Sequence, residues 1–256
     1  MLLRAENLTF AYKNSFMVKN INLSLAPGKL HYLAGPNGAG KSTILKLLCG
    51  YLHPASGKVL LDENDIANFS NSQRAEIMGT VWQDRTLDLD FSVREMVSII
   101  ASARFPRWGT AERKNAELIA CKLSEFALLD KAKQPVSTLS GGEYQRLMLA
   151  GMAVLAPEIL LLDEPTAALD PAWRNKVMKF LEEYALDHTV LIVTHDLELL
   201  GRAQGVLALL DDRGNFISGN AAELLNEKVL SSVYGTAATV EKTAGKNCRI
   251  YFDWDQ

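Results

Sequence analysis

Gly35, Gly40, Lys41 and Ser42 stand in the spacing G-x-x-x-x-G-K-S within "GPNGAGKSTI". That spacing can cradle phosphate groups. Glycines admit backbone angles closed to other residues, so consecutive N–H groups can converge on one anion. A helix beginning near Lys41 adds the partial positive charge of its N-terminus. Lys41 can reach the outer phosphates, and the Ser42 hydroxyl can ligate Mg²⁺. The candidate phosphate-loop residues are Gly35, Pro36, Asn37, Gly38, Ala39, Gly40, Lys41, Ser42 and Thr43.

Two further groups complement that loop. In "ILLLDEPTAALD", residues 159–170, an apolar run ends in Asp163 and Glu164. Asp163 emerges where a central strand would end and is suited to hold Mg²⁺ directly or through water. Glu164 is the natural group to polarise an attacking water. In "TLSGGEYQRLMLA", residues 138–150, Ser140, Gly141 and Gly142 precede an apolar helical run. They predict a second helix N-terminus with exposed N–H groups. Taken alone, that stretch is explained by a capped helix start.

The elements around these groups follow from hydrophobic periodicity. "LLRAENLTFAY" and "VKNINLSLAPGKLHYLA" read as strands, with "PGK" as a turn. "KLHYLA" is a short buried strand and "STILKLLCG" a helix with Gly50 near its end. Strands follow in "GKVLLDENDI" and "MGTVWQ". "FSVREMVSIIASA" carries a capping box, Ser92 with Glu95, and a hydrophobic staple, Phe91 with Met96. A cap at Thr110 opens "TAERKNAELIACKLSEFALL", whose Ile119, Leu123 and Phe126 share one face. Residues 84–156 are therefore expected to be mostly helical. Beyond them, "EILLLD", "PAWRNKVMKFLEEYAL", "TVLIVT", "LELLGRA" and "GVLALLD" alternate strand and helix. That alternation predicts an α/β core on a mostly parallel sheet. One domain over 1–256 is expected, with the helical subdomain inserted in it and a C-terminal extension over 214–256.

Composition excludes several classes. The chain is 256 residues long, 48% hydrophobic and 22% charged, which is ordinary for a globular domain. A formal net charge of −3 gives no basic field for nucleic acid. "MLLRAENLTF" lacks the apolar stretch of a secretory leader. No run approaches the ~20 apolar residues of a membrane helix. Cys49, Cys121 and Cys248 are too scattered for a metal site and fit a reducing compartment as small core residues.

The set of motifs resembles the ATP-binding subunit of an ATP-binding cassette (ABC) transporter over nearly the whole chain. The match comprises "GPNGAGKST", "LSGGE", "LLLDEP", "ALD" at 168–170 and "VTHD" at 193–196, in that order. The resemblance implies an ABC ATPase fold: a phosphate-loop core, an N-terminal antiparallel β subdomain and a helical subdomain. It implies ATP and Mg²⁺ as ligands. Gln83, after the strand "GTVW", matches the glutamine that senses the metal and the γ-phosphate. His195 matches the switch histidine, and Tyr12 the aromatic that stacks on adenine. Ser140, Gly141, Gly142 and Glu143 match the signature, which meets ATP held by a second copy, and Asp170 matches the loop at that interface. Two copies would close head to tail around two ATP molecules. They would act on integral membrane permease subunits, at the cytoplasmic face of the cell membrane and without nucleic acid.

Residues 83–109, "QDRTLDLDFSVREMVSIIASARFPRWG", resemble the matching segment of ATPases that import iron–siderophore complexes, haem and cobalamin. Arg104, Phe105 and Pro106 fit an Arg-x-Pro-His run, with Arg107 in place of the histidine. "LDPAWR" is more generic than that subfamily's usual form. The resemblance implies a metal-chelate importer served by a separate solute-binding protein. The rival readings are a soluble ABC ATPase of iron–sulfur cluster assembly and a transporter subunit for another cargo. Translation-type and repair-type relatives carry a second cassette or a long coiled coil, and this sequence shows neither.

Overall fold

The computed structural model describes residues 1–11, 17–83, 91–104, 112–243 and 247–253. β1 (Leu3–Ala11), β2 (Met17–Leu25), β4 (Ser56–Leu61) and β5 (Asn64–Asp65) form an antiparallel sheet in the order β2-β1-β4-β5. A larger sheet runs β10-β9-β3-β8-β7-β6. Its strands are β3 (Leu30–Ala34), β6 (Met78–Val81), β7 (Ile159–Asp163), β8 (Thr189–Val193), β9 (Val206–Leu210) and β10 (Phe216–Asn220). All pair in parallel except β10, which is antiparallel to β9. This is the ABC ATPase arrangement that the motif set implied.

β7 and β8 are apolar throughout Ile159–Leu162 and Val190–Val193 because both of their faces are covered. Leu160 and Leu162 of β7 point into one core, and Ile159 and Leu161 into the other. β8 splits the same way, Val190 and Ile192 against Leu191 and Val193. Period-two side chains leave no other choice once the sheet is sandwiched. Each fully buried Leu or Ile contributes about 1.5–3 kcal/mol. One core lies against the helical lobe, the other against α1 (Lys41–Leu48) and the antiparallel sheet.

In the lobe, α3 (Val93–Ala101) and α4 (Glu112–Glu125) both pack on α5 (Gly141–Leu155). The Ser92–Glu95 capping box forms as expected. Met96 is buried while Phe91 remains exposed, so the staple is open on one side. Ile119, Leu123 and Phe126 are all buried, with Phe126 just beyond the end of α4. The expected cap at Thr110 lies outside the described residues. α2 (Asn71–Ile77) buries no residue, so hydrophobic periodicity does not reveal it; the Ser70–Gln73 capping box does.

From residue 214 onward the chain divides into two parts. β10 completes the edge of the main sheet, and the Ser218 hydroxyl donates to Asn22 O at 2.9 Å, tying that edge to β2. Then α8 (Ala221–Leu224) and α9 (Glu227–Tyr234) lead to the hairpin of β11 (Ala238–Lys242) and β12 (Cys248–Phe252). Cys248 N donates to Gly201 O and docks β12 on α7 (Leu197–Leu200).

The sheet order matters most for chemistry. β3, β8 and β7 are adjacent and parallel, so their carboxyl ends lie side by side. Thr194 N donates to Leu33 O, and Glu164 N to Val193 O. The loops leaving these three strands therefore converge on one crevice, where open α/β sheets place their ligands.

A candidate phosphate-binding active site

Between β3 and α1 the backbone takes angles that only glycine adopts freely. Gly35, Gly38 and Gly40 have φ of 149°, 80° and 102°. A Cβ at Gly35 would also stand 2.0 Å from Leu210 O. Lys41 is buried, and its Nζ donates to Gly35 O at 2.8 Å and Pro36 O at 2.9 Å. An ammonium has three protons, so one is left for a ligand. Burial pushes the Lys41 pKa down, and the carboxylates of Glu164 and Asp163 act against that shift. A buried cation short of negative charge favours an incoming phosphate.

Asn37, Gly38, Gly40, Lys41, Ser42, Thr43, Gln83, Asp163, Glu164 and His195 line one cleft of ≈ 450 Å³. Gly35, Pro36 and Ala39 stand behind it: two supply carbonyls to Lys41, and Ala39 is buried in the core. The Ser42 hydroxyl donates to Asp163 Oδ2 at 2.7 Å. Together with the Gln83 amide these are hard oxygen donors suited to Mg²⁺. Among the described residues no group of three or more His, Cys, Asp or Glu could hold a metal alone. Mg²⁺ in nucleotide sites takes one or two protein oxygens and the rest from phosphates and water.

Glu164 is 7% exposed and has a left-handed backbone, φ 52°. Its Oε1 accepts from His195 N at 2.9 Å and pairs with His195 Nδ1 at 2.5 Å. An ionised carboxylate only accepts, so Nδ1 is the donor. Oε2 accepts from the Thr194 hydroxyl at 3.3 Å. The sequence carries Thr194 within "VTHD" but gives it no role; the neighbouring strand ends show its contact with Glu164.

Ser140, Gly141, Gly142 and Glu143 do not line this cleft. Ser140 caps α5, accepting from Glu143 N. Glu143 returns a bond to Ser140 N and pairs with Lys131 at 2.5 Å. The Lys131 contact and then the Ser140 N–H hold its pKa down at about 2. That carboxylate is bound within the chain, while the contact expected of the Ser140–Glu143 signature is with a nucleotide held by a second copy. Asp170, expected in the loop at the interface between copies, caps α6 (Pro171–Tyr184) by accepting from Trp173 N at 2.9 Å. Arg104 binds Leu155 O and Ala156 O at the end of α5. Tyr12, Phe105, Pro106 and Arg107 lie outside the described residues.

Fold and cleft together define a phosphate-loop nucleotide-binding domain. The sequence pattern of the ABC transporter family matches residues 18–167. The hemin import ATP-binding protein HmuV of Pseudomonas aeruginosa is 34% identical over 94% of this chain and 95% of its own length. The cell division ATP-binding protein FtsE of Escherichia coli is 36% identical over 82% of this chain and 96% of its own. A solved structure described as a metal-chelate type ABC transporter in an inward-facing conformation superposes with a TM-score of 0.82 at 25% identity. The alignment covers 99% of this chain and 98% of that one. A dimeric post-hydrolysis state of the ATP-binding cassette MJ0796 with ADP and Pi gives a TM-score of 0.75 at 26% identity, over 86% and 98%. The chain belongs to the ABC transporter family and is an ATP-binding, ATP-hydrolysing subunit of that kind.

Proposed function

We propose that this chain is the motor of an importer for haem or a related metal chelate. The reading rests on one observation above others: the likeness to a hemin import subunit and to a metal-chelate transporter runs over almost the whole chain. The match to FtsE spans less of it. Among the described residues no helix is long and apolar enough to cross a membrane. The work must therefore be passed to permease subunits at the inner membrane face, with a solute-binding protein delivering cargo. The helical subdomain, 84–156, carries the signature at 139–143 and is the part that would meet the permease.

In this reading two copies close head to tail, each giving Ser140, Gly141 and Gly142 to the other's nucleotide. The Asn37–Thr43 amides and Lys41 bind and orient the phosphates. Ser42, Asp163 and Gln83 would hold Mg²⁺, which when bound neutralises charge on the phosphate oxygens. Glu164 accepts the proton of the attacking water, having a free lone pair beyond its three donors. His195 holds Glu164 and faces the outer phosphate.

Glu164→Gln tests the site: it should keep ATP binding and lower turnover about 10²–10⁴-fold. Normal hydrolysis in that variant would defeat the assignment. For the cargo, the chain is purified with its permease in liposomes, and binding proteins loaded with haem, iron chelates, sugars or amino acids are added. Stimulation by a sugar or amino acid alone would exclude the chelate reading and leave the motor intact.

A further inference from the structure

Glu164 needs more than His195 to hold it. The Thr194 hydroxyl is buried, and it does two things at once. It accepts from Asp196 N at 3.0 Å and faces Glu164 Oε2 at 3.3 Å. A hydroxyl has a single proton. Since the Asp196 N–H donates and the carboxylate only accepts, the Thr194 proton must go to Glu164. Asp196 is fixed in turn. Its Oδ1 caps α7 through Glu198 N, and its Oδ2 pairs with Arg174 Nη1 at 2.9 Å. Arg174 lies in the first turn of α6, just past the cap Asp170.

These contacts close a ring. The backbone runs from Glu164 through the turn Ala167 N→Glu164 O to Asp170 and Arg174. The return runs from the Arg174 side chain to the Asp196 carboxylate, then from the Asp196 backbone N–H to the Thr194 hydroxyl and on to Glu164. The turn inside the ring is also where α5 begins to pack: a Cβ on Gly142 would stand 2.7 Å from Ala168 O. The same ring encloses a left-handed backbone at Glu164, a conformation that a non-glycine residue keeps only when its surroundings hold it.

We infer that Thr194, held by Asp196 and through it by Arg174, is a positioning residue for the Glu164 carboxylate, and that this ring ties the aim of that carboxylate to the turn between Glu164 and Asp170. The inference rests on Glu164 being the base. Thr194→Val keeps the shape and removes the proton donor; Thr194→Ser keeps the donor and removes a methyl group. Turnover of the full chain at saturating ATP is measured beside the nucleotide Kd. Thr194→Val should lower kcat about 10–100-fold, the scale of a misplaced reacting group, with Kd changed less than about twofold. Thr194→Ser should restore kcat to within about threefold. In a Glu164→Gln background, followed by single turnover, Thr194→Val should cost nothing further, because the group it aims is gone. Arg174→Gln should lower kcat in the same direction by less.

Full turnover in Thr194→Val, an equal loss in the Glu164→Gln background, or a serine variant as slow as the valine one would each overturn the inference. Should Thr194→Val not fold, Arg174→Gln takes its place in the cycle, and unchanged kcat there has the same force. Loss of turnover in Glu164→Gln with none in Thr194→Val sinks only the ring. Full turnover in Glu164→Gln sinks the base assignment first.

Discussion

The starts of α1 and α5 are both glycine-rich helix N-termini, and they are built for opposite ends. At α1 the glycines buy conformation: Gly38 and Gly40 take left-handed angles, and the loop faces an open cleft lined by Lys41, Asp163 and Glu164. At α5 neither Gly141 nor Gly142 has a positive φ. Gly142 is there for close approach to Ala168 O. The polar groups flanking α5 are already matched, Ser140 with Glu143 and Glu143 with Lys131. One terminus opens on the cleft; the other is bonded within its own lobe. In the function proposed above, that second terminus serves the nucleotide of another copy.

Breaking the comparison at α5 should have the largest effect. A Cβ at Gly141 meets only Ala168 Cβ, at 3.5 Å, which is ordinary contact. Gly141→Asp should therefore fold, with its carboxylate favoured by the helix dipole. Placed against a partner's phosphate it would cost several kcal/mol, as like charges do across an interface. ATP binding to one chain should survive while ATP-driven dimerisation and hydrolysis are lost, as read by light scattering and phosphate release. Dimerisation as in the parent would mean that α5 does not meet the nucleotide.

Lys41→Ala breaks the other terminus. Losing a hydrogen bond from a charged group to phosphate should weaken ATP binding by about 1.5–3 kcal/mol, roughly 10–100-fold in Kd. Calorimetry checks it, and an unchanged Kd would remove Lys41 from the site.

Gly142→Ala sharpens the contrast. Its methyl group would overlap backbone at 2.7 Å, so stability should fall by about 1–3 kcal/mol, whereas Gly141→Ala should be close to neutral. The same overlap means that an acidic residue at 142 would disturb this chain's own packing, so Gly141 is the better place to probe the partner. Denaturant melts of the two alanine variants decide it; equal stability would contradict the close approach.

The smallest effect belongs to Glu143. Its pKa is about 2 when folded against 4.5 ordinarily, because Lys131 and Ser140 N–H favour the charged form. That contribution is complete above pH 4.5 and lost as pH falls towards 2. Acid unfolding of Glu143→Gln should be less steep across that window, with little difference at neutral pH. Identical acid profiles would show that the Lys131 pair adds nothing.

The cleft was more legible in the sequence than the fold around it. Every residue lining it except Gln83 belongs to a motif with fixed local spacing, since a phosphate loop is built from consecutive backbone groups. The strands β7 and β8 were equally plain, because burial on both faces demands unbroken apolar runs. α2 stayed hidden from periodicity because it buries no side chain. The capping roles of Glu143 and Asp170 were hidden for a related reason. A carboxylate at or near a helix start reads the same in the sequence whether or not it also meets a ligand; in the fold Glu143 pairs with Lys131 and Asp170 accepts from Trp173 N.

What the sequence determined by itself was therefore local: which loop can turn on glycine, which run must be buried, and which acids follow a strand. The tertiary structure decided adjacency. Setting β3, β8 and β7 side by side brought Lys41, Glu164 and His195 to one cleft. It also put Arg174 and Asp196 within ion-pair distance, from separate elements. Spacing along a chain fixes which groups share a turn. Which strand ends share a crevice depends on the order in which strands pair, and that order is set by burial over the whole sheet.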